Sequence, residues 1–141
     1  MNPLFLRQRL TSTFQRQASR SYSKTTAARM ADRVHRVTMF KMPKEEDRKR
    51  MLEAYNALAK NNQKDGKPYI LSMVVGPAEE DQRSQGYTLV SKTEFASLED
   101  LRYYDDACTA HDGVKAVVRD VQCDGILTVY FKPQEIGGIA P

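Results

Sequence analysis

The segment Ile126-Leu127-Thr128-Val129-Tyr130-Phe131 constrains the fold of this chain more than any other. Its residues are strong β-formers, and successive side chains of a strand point to opposite faces. Leu127, Val129 and Phe131 therefore make one apolar face, and Ile126 and Tyr130 the other. A second stretch repeats the pattern, with Leu71 and Met73 opposed to Ile70 and Val74. A sheet built from such strands needs cover on both faces.

The remaining segments decide what can supply that cover. Val34–Met42 reads as a first strand, ended by Pro43. Glu45, Glu46 and Asp47 then suit the first turn of a helix, whose apolar stripe is Met51, Leu52, Tyr55, Leu58 and Ala59. Asn61–Pro68 breaks it. Tyr69–Val75 is a second strand and Tyr87–Phe95 a third, separated by a polar loop. Ser97 reads as the N-cap of a helix from Leu98, with Asp100 as its capping-box partner. That helix breaks near Cys108–Asp112 and resumes through Val114, Val117 and Val118. The order β-α-β-β-α-β is the ferredoxin-like arrangement, an α+β fold. Its helices cover one face of a four-stranded sheet. The 141 residues suggest one domain and leave no chain for the other face, so a second copy is the economical cover.

Charge is unevenly placed. Residues 1–31 hold six basic residues and no acid. The remainder holds 16 of the 22 basic residues and all 18 acids, a net charge of −2. That balance argues against nucleic acid as a partner of the folded domain. The leader is Arg-rich and Ser/Thr-rich, with Leu6, Leu10 and Phe14 at helical spacing and a protease-like Arg20-Ser21-Tyr22-Ser23. It reads as a mitochondrial presequence, giving a matrix protein. A start at Met30 would give a cytoplasmic form. No apolar run has the length of a membrane span. Cys108 and Cys123 make no disulfide framework, and Cys108 with His111 lacks a second ligand pair for a metal.

Three stretches carry more specific information: Val34-His35-Arg36-Val37-Thr38-Met39-Phe40-Lys41, Gly86-Tyr87-Thr88 running into the third strand, and Thr109-Ala110-His111. Together they resemble the stress-responsive A/B barrel, or Dabb, family over residues 34–133, leaving 134–141 as a flexible tail. The resemblance implies a homodimeric α/β barrel, with two sheets facing each other and helices outside. It also implies site residues. Members similar to polyketide cyclases place a tyrosine and a histidine at the positions of Tyr87 and His111, facing a pocket between sheet and helices. Tyr55 matches a further tyrosine of that pocket. Arg36 stands where some members have a first-strand histidine, while His35, one residue earlier, points to the opposite face.

The implied chemistry needs no metal or organic cofactor. A histidine can take a proton from a C–H acidified by carbonyls, and a tyrosine hydroxyl can stabilise the enolate that forms. Two functions follow from the resemblance. One is a small dimeric ligand-binding or stress-related factor without catalytic activity readable in the sequence. The other is a cofactor-independent cyclase or monooxygenase-like enzyme acting on a polyketide or aromatic substrate. Expected partners are a second copy and a small apolar or aromatic ligand. Each site residue also has a plainer reading: His111 as a cap or core residue, Tyr87 and Tyr55 as packing, Arg36 as an ion-pair residue. Tyr103-Tyr104-Asp105-Asp106 reads as the exposed end of a helical turn.

Overall fold

The computed structural model describes residues 32–139. The basic leader, Arg20–Ser23 and Met30 lie outside the described residues. Four strands, β1 (Val34–Phe40), β2 (Ile70–Pro77), β3 (Leu89–Phe95) and β4 (Ile126–Phe131), form one antiparallel sheet in the order β2-β3-β1-β4. Helix α1 (Glu45–Asn61) follows β1, and α2 (Leu98–Asp106) and α3 (Thr109–Asp120) follow β3. This is the expected β-α-β-β-α-β order, with the second helix split in two.

Alternation along the strands sorts the side chains. Val34, Thr38 and Phe40 of β1 and Leu89, Ser91, Thr93 and Phe95 of β3 are buried beneath the helices. From α1, Met51, Tyr55 and Leu58 descend onto them at helical spacing. Tyr104, Cys108 and Val114 close the core from the split helix. The alternate residues of β1, His35, Val37 and Met39, pair across the sheet with Phe131, Val129 and Leu127. Leu127, Val129 and Phe131 are 42%, 49% and 48% exposed, so the face away from the helices is an open apolar surface next to β4. Ile126 and Tyr130 are as open on the helix side, because the helices leave β4 uncovered.

Two local details differ from the sequence reading. Ser97 Oγ does accept from the Asp100 N–H at 3.1 Å. The Asp100 carboxylate, however, accepts from Lys64 Nζ at 2.7 Å, so the capping box is half made. The helix break falls at Ala107–Cys108, and His111 lies within the first turn of α3.

Candidate functional site

The break between α2 and α3 builds the site. The last carbonyls of a helix have no partner within it and must find one elsewhere. The Tyr103 carbonyl accepts from the N–H groups of Ala107 and Cys108. The Asp105 carbonyl accepts from Lys115 Nζ at 2.6 Å. The Tyr104 carbonyl is met by His111 Nδ1 at 2.8 Å. Because a carbonyl can only accept, Nδ1 carries the proton and Nε2 keeps the lone pair. The imidazole stacks on the Tyr104 ring, with centroids 3.7 Å apart. His111 is only 5% exposed. Burial lowers its pKa from 6.5 to about 4; the Tyr104 carbonyl opposes the shift, and the Arg36 and Lys115 charges add to it. The ring is neutral at physiological pH.

His111 forms part of the wall of a cavity of about 280 Å³ between the sheet and α3. Arg36, Thr38, Phe40 and Tyr55 line it on one side, and Val114, Val118, Ile126 and Thr128 on others. Arg36 faces this cavity because it shares the parity of Thr38 and Phe40 on β1. Its Nη2 lies 3.0 Å from the Asp105 carboxylate, and its Nη1 donates to Thr38 Oγ1 at 2.6 Å. Thr38 Oγ1 in turn lies 3.0 Å from Thr128 Oγ1 across the β1–β4 pair. The guanidinium carbon also sits 5.3 Å from the centre of the Tyr104 ring. Arg36 and His111 therefore share one aromatic neighbour. Burial raises the Tyr55 pKa, with Ser91 and Arg36 opposing, so its hydroxyl remains a donor at neutral pH.

Three of the four expected site residues, Arg36, Tyr55 and His111, thus meet at one cavity. Tyr87 does not join them, and the expected Tyr87–His111 pair is not formed in this structure. Tyr87 precedes β3 in a turn closed by its N–H to the Ser84 carbonyl at 2.9 Å, after Gly86 at φ +86°. Its ring lies against Lys41 Nζ, 4.9 Å from the centroid. It lines a different cavity with Met39, Val90 and Leu127, residues of the opposite parity to Phe40, Leu89 and Ile126. The sheet stands between the two tyrosine positions and their cavities. His35 is on that far side as well, 3.7 Å from Glu94 and packed on Phe131.

Residues the sequence reading passed over complete the site. Tyr104 is fully buried and carries both His111 and Arg36, rather than lying at an exposed helix end. Its hydroxyl is buried without a hydrogen-bond partner, and its pKa is raised, burial being the first cause. Asp105, Lys115 and Arg119 also line the cavity. The signal for Tyr104 and Asp105 lay in the spacing to His111: a helix ending just before a histidine-bearing turn offers it a free carbonyl.

Comparisons with known proteins show what the chain is similar to. A "Fusaristatin A biosynthesis cluster protein" of Gibberella zeae is 60% identical over 109 residues, covering 77% of this chain and 79% of that protein. Among solved structures, a hydroxynitrile lyase from Passiflora edulis has a TM-score of 0.61 at 12% identity, covering 77% of this chain and 99% of that one. A dimeric ferredoxin-like protein of unknown function from Jannaschia sp. has a TM-score of 0.57 at 21% identity, covering 72% and 99%. SnoaB, a cofactor-independent oxygenase from Streptomyces nogalater, has a TM-score of 0.55 at 11% identity, covering 75% and 97%. These likenesses to solved structures show the ferredoxin-like fold. The family model described as the stress responsive A/B barrel domain matches residues 34–130. The chain belongs to the stress responsive A/B barrel domain family.

Proposed function

We propose that this protein is a cofactor-independent enzyme of small-molecule biosynthesis that moves a proton on a β-dicarbonyl, polyketide-like substrate. The observation that carries the reading is a neutral histidine with a free Nε2 beside a guanidinium on the wall of one largely apolar cavity. In this reading Nε2 of His111 takes a proton from carbon, and Arg36 stabilises the negative charge that develops on the carbonyl oxygen. Tyr55, a buried donor on the same wall, orients a second oxygen. Tyr104 and its carbonyl fix the imidazole tautomer. A base whose pKa is near 4 is unprotonated at pH 7 but weak. It suits a C–H already acidified by two carbonyls rather than one. The 60% identical relative belongs to a biosynthesis cluster by its name, which supports a role in small-molecule biosynthesis.

A second reading, ligand binding without turnover, is favoured by the same low basicity. One experiment separates the two. The full chain is incubated in D₂O with an acetoacetyl thioester of N-acetylcysteamine, and deuterium entry at C2 is followed by NMR. The enzyme reading expects exchange above the buffer rate, slowed about a hundredfold by His111→Ala. Exchange at the buffer rate, with the thioester bound, leaves the binding reading.

We also propose that the working unit is a homodimer closed through the sheet face bearing Val37, Met39, Leu127 and Val129. Its support is that open apolar face, and the ferredoxin-like neighbours described as dimeric. Position 129, rather than 130, is then the partner-facing one.

A further inference from the structure

We infer that the natural ligand of the His111 cavity is an organic anion: a small carboxylate with an aromatic or apolar body, its carboxylate taken by Arg36. The inference deepens the reading of this cavity as a small-molecule site and rests on it. Three cationic side chains, Arg36, Lys115 and Arg119, line the cavity against one carboxylate, Asp105. His111 adds no charge. Arg36, the cation the ligand would meet, is built into the wall with its side chain 12% exposed, while Lys115 is about one-third exposed and Arg119 is exposed at the rim. Asp112, 3.7 Å from Lys115, screens the rim from outside the lining.

Arg36 is only partly committed. Of its five N–H groups, one serves Thr38 and another faces Asp105, while Nε is buried without a partner. A guanidinium fork matches a carboxylate in two parallel bonds, so an arriving carboxylate can satisfy it better than the present single contact with Asp105. Asp105 is about one-third exposed and can turn to solvent when displaced. Asp105 then acts as a competing counter-ion that holds Arg36 and weakens ligand binding. Phe40, Val114, Val118 and Ile126 supply apolar wall for the ligand's body.

The test uses 2-naphthoate and its neutral counterpart 2-naphthamide with the full chain, by calorimetry and by the His111 ring resonances. We expect 2-naphthoate to bind about tenfold more tightly at low salt, with the preference shrinking as salt is added. Asp105→Asn should tighten 2-naphthoate about threefold and leave 2-naphthamide unchanged, because only the competing charge is gone. Arg36→Gln should bind both probes alike, and movement of its His111 resonances by 2-naphthamide shows an intact cavity. Equal affinity of the two probes for the unaltered protein would overturn the inference while keeping the cavity as a binding site. An Asp105→Asn variant with unchanged 2-naphthoate affinity would overturn it too. Failure of both probes to move the His111 resonances would overturn the inference and the site reading together.

Discussion

Acid should unfold this protein partly through one side chain, and His111→Gln should remove that sensitivity. The folded ring is held at about 4, whereas the ring in an unfolded chain titrates near 6.5. Between those values the unfolded chain binds a proton that the folded chain refuses. Stability is therefore fully present above pH 6.5, is lost as pH falls toward 4, and loses nothing more from this ring below that. At pH 5 the gap from 6.5 is about 1.5 pH units, and at about 1.36 kcal/mol per unit the loss relative to pH 7 is about 2 kcal/mol. Urea unfolding of the full chain and of His111→Gln at pH 7 and pH 5 measures it. Glutamine can still donate to the Tyr104 carbonyl but cannot titrate. His35, which burial also holds below 6.5 while Glu94 pulls it up, is present in both proteins and cancels, as do the carboxylates. The unaltered protein should lose about 2 kcal/mol more than the variant between the two pH values. Equal losses would refute the buried, neutral histidine.

Three further outcomes are expected. Ser97→Ala removes the cap bond to the Asp100 N–H and should cost about 1 kcal/mol in thermal or urea unfolding; no loss would mean the cap is not made in solution. Val129→Lys should convert a dimer to a monomer in light scattering, whereas Tyr130→Lys, on the helix side, should not; the reverse order would put the interface on the other face. The acid-free leader is proposed to direct mitochondrial import, so N-terminal sequencing of the native protein should find a start at Ser23, and an intact Met1 would contradict it.

The fold was largely legible in the sequence because it rests on period. The two-faced strands, the helical stripe of Met51, Tyr55 and Leu58, and the Ser97 cap are local patterns, and each appears where it was expected. Strand limits moved by one or two residues: β1 stops at Phe40, short of Pro43, and β2 runs on through Gly76 and Pro77, which pair with Val90 and Leu89. The site was legible in part. Arg36, Tyr55 and His111 meet because strand parity and helix stripe send all three to one side of the sheet. Tyr87 escaped the reading because it precedes the first paired residue of β3, Leu89, so the turn rather than strand alternation sets its direction. Tyr104 and Asp105 were missed for a related reason. Their surroundings depend on how sharply the chain turns at Ala107–Cys108, and that turn carries neither a glycine nor a proline to announce it.

The proposed proton transfer turns on the protonation state of His111, and a long-range ¹H–¹⁵N spectrum of the ring reads it directly. With only His35 and His111 in the chain, assignment needs a single His35→Gln control. At pH 7 His111 should be neutral, with Nδ1 protonated and Nε2 bare, and unchanged down to about pH 5. A charged ring at pH 7, or a neutral one carrying its proton on Nε2, would contradict this, because neither leaves the Nε2 lone pair free.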